Sequence, residues 1–257
     1  MHDKTQSPNA VEVRNVCKYY DQVEALRDMS LDIPRGGLTS MLGPSGCGKT
    51  TLLKIIAGLL PATSGEVFVN GEAVTGPGPE RAFVFQDFAL LPWASVMRNV
   101  AFGLELRGVA KSEREAIAEK CIADVGLNGF ENSFPHQLSG GMRQRVGLAR
   151  ALSVDAELLL MDEPFSAVDE QTRRKFQEDL LNLVKSQNRT FLFVTHSIEE
   201  AVYVSDQIAL LLPRPSRVSE IIQPSGFRDK DPDSIRRDSE YLDIVDDIWK
   251  SLRSYVE

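Results

Sequence analysis

Apolar residues near the start of the chain recur at every second position, which is the pattern of half-buried β-strands. Val11 and Val13 form one such set, and Met29, Leu31 and Ile33 form another. Successive side chains of a strand point to opposite faces, so each set fits a strand with one face in a core. The first third of the chain therefore predicts short strands, which we interpret as an N-terminal antiparallel β portion.

Farther along, apolar residues form unbroken runs instead of alternating with polar ones. The runs at 158–161 and 191–194 are typical of parallel strands that are buried on both faces. Between them, apolar residues return at the i, i+4, i+7 and i+8 spacing of a helix. Strands that alternate with helices predict an α/β fold with a mostly parallel sheet. The helix positions are Phe176, Leu180, Leu183 and Val184.

The middle of the chain has a helical pattern, which we interpret as a helical subdomain inserted between two halves of the sheet. Within it, Ser112-Glu-Arg-Glu115 predicts a helix start with a capping box. Prolines after Leu212 predict irregular connections, and a final helix is expected from about Asp238. The whole chain, 1–257, is interpreted as one domain. Its core is about 10–86 and 155–212, its helical insertion about 87–154, and its C-terminal extension 213–257.

The composition sets limits on partners and location. The chain has 29 Lys and Arg against 37 Asp and Glu, a formal net charge of −8, so we expect no nucleic-acid partner. Its apolar runs, such as Ile208–Leu212, are far shorter than the roughly 20 residues that span a membrane. The three cysteines lack metal-ligand spacing and indicate a reducing, intracellular compartment. Composition alone thus predicts a soluble cytosolic protein.

A glycine-rich segment predicts a site for phosphates. Gly43-Pro-Ser-Gly-Cys-Gly-Lys-Thr50 matches G-x-x-x-x-G-K-[ST] between a predicted strand and a predicted helix. Its backbone N–H groups and the helix N-terminus attract anions, Lys49 can reach the outer phosphates, and Thr50 can bind Mg²⁺. A kinase, a GTPase and an ATPase all remain open at this point. The residues expected to bind the nucleotide are Gly43, Pro44, Ser45, Gly46, Cys47, Gly48, Lys49, Thr50 and Thr51.

Cys47 has two interpretations within this loop. It is either a small residue that fills space, or a thiol whose pKa is lowered by the nearby helix N-terminus. If it is reactive, its alkylation is expected to block nucleotide binding sterically.

Two carboxylates follow the apolar run at 158–161. Asp162 and Glu163 stand at the carboxyl end of a predicted parallel strand, where α/β sheets bind their ligands. Asp162 suits the coordination of Mg²⁺, directly or through water. Glu163 points to the other side of the strand and suits a general base for an attacking water. With a phosphate loop upstream, the pair favours hydrolysis over phosphoryl transfer to a bulky acceptor.

A third motif, Leu138-Ser-Gly-Gly-Met-Arg-Gln144, precedes the carboxylates. Ser139 suits a helix N-cap, and the two glycines allow another backbone to approach closely. In this order, the phosphate loop, the motif and the carboxylates resemble the nucleotide-binding subunit of ABC transporters, from about Val11 to Leu212. The resemblance implies an ATPase that uses ATP and Mg²⁺, whereas a simple phosphate-loop kinase has no use for the Ser139 motif.

The same resemblance implies roles for single residues. Tyr20 matches the aromatic residue that stacks on adenine, and its neighbour Tyr19 is the weaker candidate. Gln86 matches the glutamine that contacts Mg²⁺ and the attacking water, and His196 matches the histidine that contacts the γ-phosphate. The next residues, Ser197-Ile-Glu-Glu200, depart from relatives that commonly carry Asp after the histidine, but they still predict a helix start with a capping box.

The resemblance further implies a head-to-tail dimer of ATP-binding subunits with two ATP molecules at the interface, which we expect to be a homodimer. Each site would combine the phosphate loop of one chain with the Ser139 motif of the other. Ser166 and Asp169 belong to the loop that would link the two sites. The residues expected to bind ATP in trans are Ser139, Gly140, Gly141 and Gln144.

The stretch from Gln86 to Trp93, together with Arg98–Leu104, is similar to importer subunits for nitrate, sulfonate or taurine. In that family this surface receives a helix of a membrane permease, so Leu91 and Trp93 would be apolar anchors; local packing is the alternative. The resemblance implies a peripheral protein on the cytoplasmic side of the inner membrane. Its partners would be integral-membrane permease subunits and, indirectly, an extracytoplasmic solute-binding protein. A soluble ABC-type ATPase that is not coupled to a transporter is the competing interpretation.

Overall fold

The computed structural model describes residues 7–166, 170–187, 189–224, 226–227, 230, 232–235 and 237–253. The strands are β1 Asn9–Tyr20, β2 Val23–Pro34, β3 Gly37–Leu42, β4 Ser64–Val69, β5 Glu72–Ala73, β6 Arg81–Val84, β7 Leu158–Asp162, β8 Thr190–Thr195, β9 Gln207–Leu211 and β10 Val218–Ile222. The helices are α1 Lys49–Ile56, α2 Val96–Leu106, α3 Lys111–Asp124, α4 Gly140–Ser153, α5 Glu170–Ser186, α6 Ile198–Val204, α7 Pro232–Ile235 and α8 Ser239–Arg253. A short 3₁₀ turn covers Pro135–Gln137.

The chain divides into two compact units, 1–78 with 184–257 and 79–183. In the first unit, an antiparallel sheet has the strand order β2-β1-β4-β5. Val13 of β1 lies opposite Leu31 of β2, and both side chains are buried. The apolar alternation in the sequence therefore follows the two faces of these strands, and the predicted N-terminal antiparallel portion is confirmed.

A second set of strands in the first unit is buried and mostly parallel. β3 lies between β8 and β9, to which it is parallel, and β10 pairs antiparallel with β9. Leu42, the last residue of β3, lies opposite Thr195 of β8 and Leu210 of β9. The carboxyl ends of the three parallel strands are therefore aligned. The phosphate loop after Leu42 and His196 after Thr195 share this edge.

The second unit combines two parallel strands with helices. β6 and β7 run parallel, with Val84 opposite Met161, and α2, α3 and α4 pack against one another. The expected α/β class, with parallel strands and a helical segment, is thus confirmed. The division into core, insertion and extension stays a prediction, because the compact units divide the chain at other positions, after 78 and after 183.

Arg145 of α4 joins three helices inside the second unit. Its guanidinium donates to the Val125 carbonyl at the end of α3 over 2.7 Å and forms an ion pair with Asp179 of α5 at 2.8 Å. It also lies 5.6 Å from the ring centre of Phe176, a cation–π distance. Because Arg145 is only 8% exposed, these partners compensate for the cost of burying its charge.

The start of α3 differs from the prediction. The sequence predicted that Ser112 caps this helix, but the N-cap is Ala110, which makes no side-chain bond. The amide of Arg114 donates to the Ala110 carbonyl, so the first turn already includes Ser112. A capping serine must lie outside the first turn, and here the helix begins too early for Ser112 to do so.

The predicted C-terminal helix is present as α8. Its first turn is capped by Asp238, whose Oδ1 accepts from the Glu240 amide at 3.0 Å and the Tyr241 amide at 3.4 Å. Tyr241 and Ile248 are buried in a cluster that includes residues of α6 and β9, and Val245 and Leu252 pack against it. The side of α8 that carries these four residues thus faces the core of the first unit.

Replacing Ile248 by Ala is expected to lower the free energy of unfolding by about 2–4 kcal/mol, because the side chain is only 1% exposed and its removal leaves a cavity. Leu242→Ala on the same helix is the matched control, since Leu242 is 49% exposed and should cost less than about 1 kcal/mol. Urea unfolding of both variants measures the difference. Equal losses would show that α8 is not packed as described.

Candidate functional site

The phosphate loop depends on glycine at fixed places. Gly46 and Gly48 have φ of +75° and +118°, a region that favours glycine. A Cβ on Gly48 would lie 2.8 Å from Leu26 Cδ2, and a Cβ on Gly43 would lie 2.7 Å from the Leu211 carbonyl oxygen. Two neighbouring strands thus approach the loop so closely that side chains at these positions would collide with them.

Lys49 places a positive charge inside this loop. Its side chain is 5% exposed, and Nζ donates to the carbonyl oxygens of Gly43 at 2.7 Å and Pro44 at 2.9 Å. Among the described residues, the recorded hydrogen-bond partners of Nζ are neutral. A buried ammonium without a carboxylate partner is suited to an anion, and the N-terminus of α1 adds positive potential at the same place.

Cys47 is packed inside the loop. It is 2% exposed, and its Sγ lies 3.2 Å from the Cβ position of Gly43. Reactive cysteines are partly exposed, whereas buried ones are inert. The structure therefore favours the interpretation that Cys47 fills space.

Tyr20 lies at the end of β1 beside α1. Its hydroxyl is 3.3 Å from the Thr51 hydroxyl, and its side chain is 44% exposed. Lys18, two positions earlier and thus on the same side of β1, places Nζ 5.4 Å from the centre of the Tyr20 ring and donates to the Pro61 carbonyl at 2.8 Å. The sequence interpretation missed Lys18, although its two-residue spacing from Tyr20 was visible.

The neighbouring tyrosine is engaged elsewhere. The Tyr19 hydroxyl donates to Glu24 Oε1 at 2.7 Å, and this bond raises the pKa of Tyr19. Tyr20, in contrast, faces the helix that carries the phosphate-loop lysine. This arrangement supports the preference for Tyr20 over Tyr19 as the adenine contact.

His196 follows β8 directly and is exposed. The next helix, α6, begins at a cap formed by Ser197, whose Oγ accepts from the Glu200 amide at 3.2 Å. The predicted capping box is only half present. Glu200 Oε2 accepts from the Thr195 hydroxyl at 2.7 Å, and the Ser197 amide donates to Thr195 Oγ1 at 3.0 Å. In a capping box the Glu200 side chain would accept from the Ser197 amide. Here the Thr195 hydroxyl accepts from that amide instead, because Thr195 lies just before the cap at the end of a buried strand.

The carboxylates lie in the second unit, where β7 ends. Asp162 is 4% exposed, whereas Glu163 is half-buried and has a φ of +47°, which is rare for a residue other than glycine. Gln86 Nε2 donates to Glu163 Oε2 at 3.2 Å. Both residues lie two positions beyond the paired residues Val84 and Met161, so the parallel register of β6 and β7 brings them together.

The residue that follows this turn is also fixed. The Ser166 hydroxyl donates to the Glu163 carbonyl at 2.9 Å, and the Ser166 amide donates to the same oxygen at 3.2 Å. Ser166 therefore holds the backbone turn that presents the Glu163 side chain. Asp169, predicted for the same loop, lies outside the described residues.

The Ser139 motif begins α4 as predicted. Ser139 is exposed, and its Oγ accepts from the Met142 amide at 3.3 Å. Gly140 is half-buried, whereas Gly141 is buried. Ser139 and Gly140 are therefore accessible from outside the chain.

Gln144 does not share this accessibility. Its side chain is 0% exposed, and neither amide atom has a hydrogen-bond partner among the described residues. The expected contact with ATP in trans is therefore not supported for Gln144. Its position could have been read from the sequence, since Leu148 and Leu152 continue its helical row and are buried.

The loop after Gln86 is held by buried polar side chains of α4 and α2. Arg150 donates to the carbonyls of Phe88 at 2.8 Å and Ala89 at 2.6 Å, and burial lowers the pKa of this guanidinium. Asn99, 0% exposed, accepts from the Leu91 amide at 2.8 Å and donates to the Ala94 carbonyl at 3.0 Å. The sequence pattern did not identify Asn99, because a polar residue within a helix carries no signal of burial.

The two predicted docking residues differ in exposure. Trp93 is 71% exposed, so local packing does not explain it. Leu91 is half-buried, and its backbone is fixed by Asn99. The loop thus presents one large apolar side chain from a backbone held by hydrogen bonds.

Comparison with known proteins defines the class. Residues 26–166 match the family model described as ABC transporter. An uncharacterized ABC transporter ATP-binding protein of Methanocaldococcus jannaschii is 47% identical over 255 residues, covering 95% of this chain and 94% of the relative. The taurine import ATP-binding protein TauB of Yersinia pestis is 51% identical over 201 residues, covering 78% and 79%.

A solved structure adds the nucleotide. A dimeric ATP-binding cassette in a post-hydrolysis state, bound to ADP and Pi, has a TM-score of 0.76 and 32% identity, and the match covers 84% of this chain and 100% of that one. The chain therefore belongs to the ABC transporter family, as one of its ATP-binding subunits. It is an ATPase that uses ATP and Mg²⁺, which confirms the predicted reaction.

Among the described residues, no helix has the length and apolar character needed to cross a membrane.

The residues fit Mg²⁺ and the nucleotide by their donor chemistry. Thr50 offers a hydroxyl, Asp162 a carboxylate and Gln86 an amide oxygen, which are the oxygen ligands that Mg²⁺ prefers alongside phosphates. The buried ammonium of Lys49 fits a phosphate because its hydrogen-bond partners among the described residues are neutral. Held by these groups, Mg²⁺ would supply charge that neutralises the phosphates.

Thr195→Val is expected to destabilise the first unit by about 1–3 kcal/mol, since it removes the hydroxyl that links β8 to the start of α6. ATP hydrolysis should fall as well, because His196 lies between the two bonded segments. Thr195→Ser keeps the hydroxyl and is the control. Chemical unfolding and steady-state ATPase rates test this, and a fully active Thr195→Val variant would contradict it.

Proposed function

We propose that the protein is the ATP-binding and ATP-hydrolysing subunit of an importer for a small solute of the nitrate, sulfonate or taurine kind. The observation that carries the importer assignment is the 51% identity to a taurine import ATP-binding protein over 78% of the chain. The solute would pass through separate integral-membrane permease subunits, which receive it from an extracytoplasmic solute-binding protein. The chain itself would be a peripheral protein on the cytoplasmic side of the inner membrane.

In this proposal the phosphate loop binds the triphosphate. Lys49 donates to the outer phosphates, while Ser45 and the loop amides surround them. Thr50, Gln86 and Asp162 supply oxygen ligands to Mg²⁺, and Thr51 bonds an inner phosphate. Tyr20 stacks on adenine, and the cation of Lys18 against its ring supports this role by fixing the ring beside α1.

Hydrolysis is assigned to Glu163 as general base. The carboxylate takes a proton from the attacking water, and Gln86, which donates to Glu163 at 3.2 Å, orients the carboxylate and that water. The Glu163 backbone is fixed by Ser166, so the base is positioned before the nucleotide arrives. His196 contacts the γ-phosphate.

We also propose that two such subunits form a head-to-tail homodimer. Ser139 is exposed and Gly140 half-buried at the N-terminus of α4, so both are accessible to a nucleotide bound by a second chain. Backbone N–H groups at a helix N-terminus suit phosphate. ATP binding would then favour the closed dimer, and hydrolysis would favour its opening.

Glu163→Gln is expected to bind ATP with unchanged affinity and to hydrolyse it at least about 100-fold more slowly, because the amide cannot accept the proton of water. The variant should also accumulate as an ATP-dependent dimer in size-exclusion chromatography. Glu119→Gln, an exposed residue of α3, removes the same charge and should behave as wild type. Wild-type turnover by Glu163→Gln would exclude Glu163 as the base.

Trp93→Ala is expected to reduce solute-stimulated ATPase activity and uptake by about tenfold or more, without changing the basal ATPase of the isolated subunit. Leu106→Ala is the matched control, since Leu106 is 73% exposed and Trp93 is 71% exposed. Both are measured in vesicles that contain the permease subunits retained with this chain in detergent. If the chain instead copurifies with a soluble scaffold and no membrane subunit, the importer proposal fails.

A further inference from the structure

The segment that follows β9 lies against the phosphate loop. Ser216 is 0% exposed; its amide donates to the Ala25 carbonyl at 3.1 Å, and its carbonyl accepts from the Arg27 amide at 2.9 Å. The Leu212 amide donates to the Arg217 carbonyl at 3.0 Å, which closes the segment into a turn. Residues 212–217 are therefore fixed to β2 and to the end of β9.

This turn and the end of β9 approach the loop at two of its glycines. The Cβ position of Gly48 is 3.8 Å from Ser216 Cβ, and that of Gly43 is 3.2 Å from Leu211 Cβ. The backbone of the turn thus has a defined position relative to the glycines that shape the phosphate loop.

Arg214 extends from this turn over the middle of the loop. Its Nη2 atom is 3.8 Å from the Cβ position of Gly46, and among the described residues no other atom lies within 4 Å of that position, apart from the two chain neighbours of Gly46. Arg214 is exposed, and no hydrogen bond or ion pair is recorded for it among the described residues. Within the described part of the chain, this guanidinium has no carboxylate partner, although the chain has a net charge of −8, and it lies beside a loop suited to anions.

We propose that Arg214 is a further nucleotide-binding residue, whose guanidinium donates to a phosphate of the nucleotide in the phosphate loop. This inference rests on the proposed role of that loop as the ATP site. A guanidinium presents paired donors that match phosphate oxygens, and the bond is charge-assisted. Because Gly46 has no side chain, no Cβ lies between the guanidinium and the backbone of the loop.

The neighbours of Arg214 favour a preformed position. Pro213 and Pro215 lie on either side of it, and a proline ring fixes its own φ. The turn therefore loses little backbone freedom when a phosphate is bound. Two cationic groups would then contact the phosphates of the nucleotide, Lys49 from inside the loop and Arg214 from above it.

The test compares nucleotide binding by Arg214→Gln, Arg214→Lys and Arg217→Gln in the full-length chain. Arg217 lies in the same turn and is exposed, but none of its atoms is among the nearest neighbours of Gly43, Gly46 or Gly48. Calorimetry with Mg²⁺–ATP and with adenosine gives the affinities, and thermal unfolding without nucleotide checks that each variant is folded.

Arg214→Gln should weaken ATP binding by about five- to tenfold, as expected for an exposed charge-assisted contact, and leave adenosine binding unchanged. Arg214→Lys should recover part of the loss, and Arg217→Gln should bind ATP as the wild type does. Wild-type affinity in Arg214→Gln, an equal loss in Arg217→Gln, or an equal loss for adenosine would each overturn the inference.

A reference variant separates this inference from the proposed site itself. Lys49→Met should lose most ATP affinity if the phosphate loop is the ATP site. If Lys49→Met binds ATP normally, the site assignment fails and the Arg214 inference fails with it. If Lys49→Met loses binding while Arg214→Gln keeps it, only the role of Arg214 is wrong.

Discussion

The buried ammonium of Lys49 is the constraint around which the first unit is arranged. A charge that is 5% exposed and bonded to two neutral carbonyls is costly to keep, and it is tolerated because the loop that surrounds it is built for phosphate. Holding those carbonyls in place requires the left-handed backbone at Gly46 and Gly48. It also requires the close approach of neighbouring strands, which leaves no room for side chains on Gly43 and Gly48.

In the second unit, two arginines of α4 hold neighbouring segments in place through their guanidinium groups. Arg145 and Arg150 lie five positions apart on α4; Arg145 donates to one backbone carbonyl outside the helix, and Arg150 donates to two. Arg145 joins α4 to the end of α3 and to the middle of α5, whereas Arg150 holds the loop after Gln86. The loop that follows Gln86 is therefore attached to α4, the helix that is capped by Ser139, and α4 is in turn bonded to α3 and α5.

The sequence was sufficient where a pattern reflects one dominant force. The alternation at Val11 and Val13 and the unbroken run at 158–161 follow burial, so they predicted strands of the correct kind. The phosphate-loop pattern follows from steric limits on the backbone and was equally readable. Its order with the Ser139 motif and the carboxylates predicted the family that the comparisons then showed.

The errors arose where several weak preferences compete. Ser112 is by preference the better N-cap, yet the helix begins after Ala110, so local preference did not decide its start. Thr195 replaces Glu200 in the cap of α6 because β8 places its hydroxyl there. Asn99 is a polar residue in a buried position, and only the packed helix reveals this. Contacts between residues far apart in the sequence were also not predicted, such as the hydrogen bond from Lys18 to the carbonyl of Pro61.

The C-terminal helix α8 is packed into the first unit. The Tyr241 hydroxyl of α8 donates to the Glu199 carbonyl in the first turn of α6, at 3.3 Å, and Tyr241 stacks edge-on against Phe227. α6 begins two residues after His196, so α8 packs on the helix that follows the predicted γ-phosphate contact. Since local order depends on the burial around a segment, the extension helps to hold His196 in place, although no motif marks it in the sequence.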